Sequence, residues 1–160
     1  SMSGDADTGE SYFSMEGGSL TSNNGDMFYV TNTACKIELT DVELSLSNEN
    51  LLKVVGNDAR NGWGTVGENG GDCEMTTADQ NLSGDIIVDG ISTLSLSLTE
   101  GTIYKGAVNT ENSGGSISVY IDDSSRWLMT GDSYISELSG DVDNIETNGF
   151  KLFVDGEELK

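Results

Sequence analysis

The sequence predicts an all-β fold: a single-stranded right-handed parallel β-helix (β-solenoid) of about five coils with essentially no helix. Three observations predict it. Apolar residues fall in short bursts with two-residue alternation, the bursts superimpose as rows at a repeat in the low twenties, and the chain contains no proline. A length of 160 residues suits one domain with a real core.

The alternation comes first. Runs rich in Leu and β-branched residues stand at 27–30 (MFYV), 35–39 (CKIEL), 42–46 (VELSL), 51–55 (LLKVV), 86–88 (IIV), 94–98 (LSLSL), 117–121 (ISVYI) and 150–154 (FKLFV), each one short strand long. Gly, Asn, Asp and Ser clusters separate them, as at 22–26 (SNNGD), 47–50 (SNEN) and 131–133 (GDS), and these favour turns and positive φ. Gly, Ser, Thr and Asn total 68 residues, a share that would suit disorder if the apolar residues lacked a period. No window shows a 3.6-residue periodicity, so no helix is expected.

The period makes the strands a stack. Laying 35–44 (CKIELTDVEL) above 73–82 (CEMTTADQNL) pairs Cys35 with Cys73, Ile37 with Met75, Leu39 with Thr77 and Leu44 with Leu82. The inward set continues with Leu94, Leu96, Leu98 and Ile103, then with Ile117, Val119 and Ile121. The outward set is Lys36, Glu38, Glu74, Ser95, Ser97, Ser118 and Tyr120. A second face follows at 42–46, 102–105 and 126–129, and a third at 27–30, 51–55, 86–88, 106–108 and 134–136. The result is roughly five coils of about 23 residues. An antiparallel sandwich would share the short strands and polar turns but would not require successive strands to align as rows. The missing proline agrees with interior strands that donate N–H groups to neighbours above and below.

Residues 1–10 read as a flexible leader opened by a cloning scar, and 11–160 as the solenoid domain, the C-terminal coils of a larger protein. Segment 56–72 (GNDARNGWGTVGENGGD) breaks the period and must leave the stack as a loop or lie along a face. Its Trp63 is either a platform for a sugar ring or a plug folding the loop back, and Arg60 lies beside it. Segment 145–159 is expected to lay Phe150, Leu152 and Val154 over the last layer. Uncapped coil ends would allow end-to-end self-association.

The formal net charge is −21, which repels nucleic-acid phosphates and anionic lipid surfaces alike. Neither nucleic acid nor membrane insertion is therefore expected, and no stretch has the length of a membrane-spanning helix. The chain has no histidine, which removes Ser-His-Asp and Cys-His nucleophile systems and the usual transition-metal sites. Carboxylate pairs for glycoside chemistry are not located by sequence alone, because 28 acids offer many pairs. Calcium accepts irregular oxygen ligation, and the densest candidates are Asp122 and Asp123, then Asp132, Asp141, Asp143 and Asn144. The alternative role for these residues is to cap turns through backbone N–H groups. Cys35 and Cys73 share one inward ladder, either as two stacked hydrophobic thiols or as a disulfide.

The runs 25–45 (GDMFYVTNTACKIELTDVELS), 62–72 (GWGTVGENGGD), 85–102 (DIIVDGISTLSLSLTEGT) and 126–156 (RWLMTGDSYISELSGDVDNIETNGFKLFVDG) resemble the C-terminal coils of bacterial pectin-lyase-like β-helix proteins. They are most similar to Firmicutes-type adhesins and carbohydrate-binding β-helix proteins. The resemblance implies a right-handed parallel β-helix at the cell surface, sometimes associated with calcium and acidic polysaccharides. It does not extend to catalysis, since lyases of this fold use an Arg or Lys base beside calcium-binding carboxylates and no matching cluster surrounds Arg60 or Arg126. The expected function is a non-enzymatic adhesin or glycan-binding module, extracellular or on the bacterial surface. It would meet a glycan or a host or cell-surface ligand through outward Tyr104, Tyr120 and Trp127, with Trp63 and Arg60, and would require no cofactor, calcium being the one candidate ion. The alternatives are a structural stalk and, less favoured, a polysaccharide-active enzyme.

Overall fold

A computed structural model describes residues 9–22, 27–31, 33–45, 50–56, 70–112 and 115–159. In chain order the strands are β1 (Gly9–Glu16), β2 (Ser19–Thr21), β3 (Phe28–Val30), β4 (Thr33–Thr40), β5 (Glu43–Ser45), β6 (Asn50–Val54), β7 (Asp72–Ala78), β8 (Asn81–Ser83) and β9 (Asp85–Val88). They continue with β10 (Thr93–Thr99), β11 (Ile103–Gly106), β12 (Ser116–Ile121), β13 (Arg126–Met129), β14 (Ser133–Ile135), β15 (Glu137–Gly140), β16 (Ile145–Glu146), β17 (Leu152–Val154) and β18 (Glu157–Glu158). One 3-10 turn, Val142–Asn144, is the only helical element among the described residues.

The chain is a parallel β-solenoid of about five turns. Its first face is a six-stranded sheet in the order β1-β4-β7-β10-β12-β15, parallel at every step. Cys35, Cys73, Leu94 and Ile117 are consecutive in-register neighbours, as the row alignment predicts. Beside that column runs Phe13, Ile37, Met75, Leu96, Val119 and Leu138, and then Met15, Leu39, Thr77, Leu98, Ile121 and Gly140. Stacked apolar columns fill the interior, and this burial is the main stabilising term of each coil. Thr77 stands between two leucines at no cost in unmet polarity, because its hydroxyl donates to the Ser97 carbonyl at 3.0 Å.

The second face is interrupted. β2 pairs with β5, and β8, β11, β13 and β16 form a separate sheet, so no ladder joins β5 to β8. The buried side chain of Gln80 bridges the gap: its Oε1 accepts the Val42 N–H at 2.8 Å and its Nε2 donates to the Val42 carbonyl at 2.6 Å. One glutamine thereby supplies the donor and acceptor that a paired strand would have supplied. The predicted pairing of Leu44 with Leu82 is thus absent from the ladders. The third face carries β3-β6-β9, with a register shift between Asn50 and Leu52, then a single bridge from Ile86 to Val108. It ends in β14-β17-β18, where β18 turns back antiparallel on β17.

Three predicted orientations are corrected on the second face. Ile103, expected inward, is 38% exposed, whereas Tyr104, expected outward as a contact residue, is 0% exposed. Trp127, also expected outward, is 1% exposed. The aromatic rings turn inward because each polar tip finds a carbonyl there. Tyr104 Oη donates to the Gly84 carbonyl at 2.8 Å, and Trp127 Nε1 donates to the Gly106 carbonyl at 3.0 Å. The two rings stack with centroids 6.0 Å apart. Of the C-terminal segment, Leu152 is buried, and Phe150 is exposed rather than laid over the layer.

Candidate functional site

The broadest regular surface is the outer side of the first face. Strand alternation that buries Phe13, Met15, Ile37 and Leu39 must turn their neighbours to solvent. Two outward columns result: Tyr12, Lys36, Glu74, Ser95, Ser118 and Glu137, and beside them Ser14, Glu38, Thr76, Ser97, Tyr120 and Ser139. Tyr12 is 64% exposed and Tyr120 42% exposed. They stand four strand spacings apart along the stack, roughly 19 Å. Tyr12 Oη donates to Glu38 Oε2, and that hydrogen bond, the largest of several influences, raises the phenol above its ordinary value. Lys36 and Glu74 form an exposed ion pair at 3.6 Å, and Thr93 Oγ1 donates to Asp72 Oδ1 at 2.5 Å. Ser11, Tyr12, Cys35, Lys36, Asp72 and Glu74 border an open depression of about 580 Å³, in the range of small-ligand clefts.

Of the predicted ligand contacts, Tyr120 lies on this surface. Tyr104 and Trp127 belong to the core, and Trp63 and Arg60 lie outside the described residues. Tyr12 was missed, although the alternation in 9–16 (GESYFSME) turns it outward opposite Phe13. Arg126 is committed to an ion pair with Glu146 at 3.3 Å.

The acidic corner is a turn device. Asp122 Oδ2 accepts the Glu100 N–H at 2.8 Å, while Oδ1 accepts the Ser124 N–H at 3.0 Å and the Ser124 hydroxyl at 2.9 Å. Partial burial pushes this carboxyl upward, but hydrogen bonds from the Glu100 backbone, Ser125 and Ser124 outweigh it and lower it to about 2. Asn144 Nδ2 donates to the Asp123 carbonyl at 3.0 Å, and Asp132 Oδ1 accepts the Lys151 N–H at 2.9 Å at a different corner. Asp141 and Asp143 border the same open depression as Asp122 and Asp123. Among the described residues no three acidic or cysteine side chains converge as a metal-ligand group.

Comparison of the chain with family models, with curated proteins and with solved structures gave no match. The resemblance to β-helix proteins thus reaches the solenoid architecture and no named family. No described helix is long and apolar enough to cross a membrane.

Proposed function

We propose that the chain is a non-enzymatic adhesive or glycan-binding module, displayed outside the cell or on the bacterial surface, whose recognition surface is the outer side of the first face. The observation that carries this reading is the pair of exposed tyrosines, Tyr12 and Tyr120, standing in a field of hydroxyl and carboxylate side chains on one rigid sheet. Aromatic faces pack on the apolar C–H surface of a sugar ring, while Ser95, Ser97, Ser118 and Thr76 supply donors and acceptors for its hydroxyls. The sheet orders these groups before the ligand arrives, which lowers the entropic cost of binding. The dense negative charge favours neutral or cationic glycans over acidic ones.

A glycan array probed with and without calcium tests the reading. Binding is expected, with Tyr12→Ala and Tyr120→Ala each weakening it by about tenfold. The stalk reading is favoured by the unbroken stacking of the first face through six strands, which adds length as well as surface. It requires that no glycan on the array binds. Release of products from polygalacturonate would instead establish an enzyme and overturn both readings.

A further inference from the structure

Three irregularities fall at one place in the stack, the passage from the coil holding β4, β5 and β6 to the coil holding β7, β8 and β9. The second face has no ladder there, between β5 and β8. The third face carries its register shift there, between Asn50 and Leu52. The long connection between Val54 and Asp72 is also made there. The first face alone crosses this junction with a full ladder, seven in-register pairs between β4 and β7. Cys35 and Cys73 are one of those pairs.

We infer that Cys35 and Cys73 form a reversible inter-coil disulfide, a covalent staple across a junction that has no second-face ladder among the described residues. Both thiols are free in the structure, lie within hydrogen-bonding reach of one another, and belong to adjacent in-register strands. Neighbouring strands place their Cα atoms about 4.8 Å apart, inside the 4.4–6.8 Å span that a disulfide bridges. Cys73 is buried, whereas Cys35 is half-buried and borders the open depression beside Tyr12 and Lys36. Cys35 is therefore the thiol that a small oxidant reaches first.

The co-reactant is a low-molecular-weight disulfide. The Cys35 thiolate attacks one of its sulfurs, the small S–S bond breaks, and one small thiolate leaves and takes up a proton. The Cys73 thiolate then attacks Cys35 Sγ of the mixed disulfide, the Sγ–Sγ bond forms, and the second small thiolate leaves and is protonated. Two protein thiols are oxidised and one small disulfide is reduced to two thiols. The staple closes a chain segment containing β5, β6 and the long connection, and a loop of that length restricts the unfolded chain. This inference is independent of the proposed glycan surface.

Titrating the folded protein with cystamine tests it, with intact-mass measurement, peptide mapping without reduction, and thermal melts. The expected product is lighter by about 2 Da, carries a Cys35–Cys73 linked peptide pair, reverts with dithiothreitol, and melts on the order of 5–10 °C higher. The Cys35→Ser variant should fold, lose no mass and show no oxidant-dependent rise. A stable cysteamine adduct on Cys35 without linkage, or no reaction where the urea-unfolded chain is oxidised readily, would overturn the inference. So would a linked product that melts no higher than the reduced protein.

Discussion

Asp122 shows how much of this protein's acidity is spent on its own backbone. Its carboxylate closes the turn after β12 and ties it to the turn of the coil below through Glu100. Because the folded carboxyl is depressed to about 2 from its ordinary value of 3.8, its contribution is present above the unfolded value and fades as pH falls through the folded one. Asp122→Asn removes the charge but keeps one acceptor oxygen. At pH 6 the variant is expected to be less stable by under about 1 kcal/mol, since solvent screens an exposed carboxylate. Urea melts of both proteins at intervals from pH 6 to pH 2 should show that difference closing between about pH 4 and pH 2. A difference that stayed constant across this window would mean that the hydrogen-bond network does not depend on the charge.

At the scale of single strands, the first face was legible in the sequence and the second was not. In 94–98 (LSLSL) and 117–121 (ISVYI) only one set of alternate residues is apolar, so the phase of the strand has one solution. In β11 both Ile103 and Tyr104 are apolar enough to enter the core, and hydropathy favours the wrong one. The deciding facts are non-local. Tyr104 enters because Gly84 and Ala107 offer carbonyls to its hydroxyl, and Trp127 because Gly106 offers another to its indole N–H. The same non-locality hid the candidate site: Tyr104 and Trp127 look like contact residues by type, while Tyr12 is exposed through an alternation that begins with the first described strand.

Gly106 also makes a prediction for its element, because a Cβ there would stand 2.2 Å from the Gly84 carbonyl and 2.5 Å from the Tyr104 hydroxyl. Backbone on one side and a fully buried ring on the other leave little room to yield. Gly106→Ala is expected to cost about 1–3 kcal/mol by overpacking, read from the urea midpoint, and to disturb the near-ultraviolet signal of the Tyr104–Trp127 pair. Lys105→Ala, one residue away with an exposed side chain, should change stability by less than about 0.5 kcal/mol.

For the whole molecule, stability is a sum over coils and the contacts between neighbouring coils, so the weakest junction decides how the stack opens. Contacts between β10, β11 and their successors β12 and β13 run on continuous parallel ladders of six and four residue pairs. Between β4–β6 and β7–β9 the second-face ladder is missing and its place is taken by the side chain of Gln80. The expected consequence is two cooperative units under native conditions, β1 to β6 opening at lower free energy than β7 to β17. Hydrogen exchange followed by mass spectrometry should show peptides of β4 and β6 exchanging before those of β10 and β12. Gln80→Ala leaves the buried Val42 N–H and carbonyl without these partners, and should widen the gap by about 1–3 kcal/mol, mainly by speeding exchange in the first unit. Uniform exchange through all coils, unchanged by the substitution, would mean that the first-face ladder alone couples the stack into one unit.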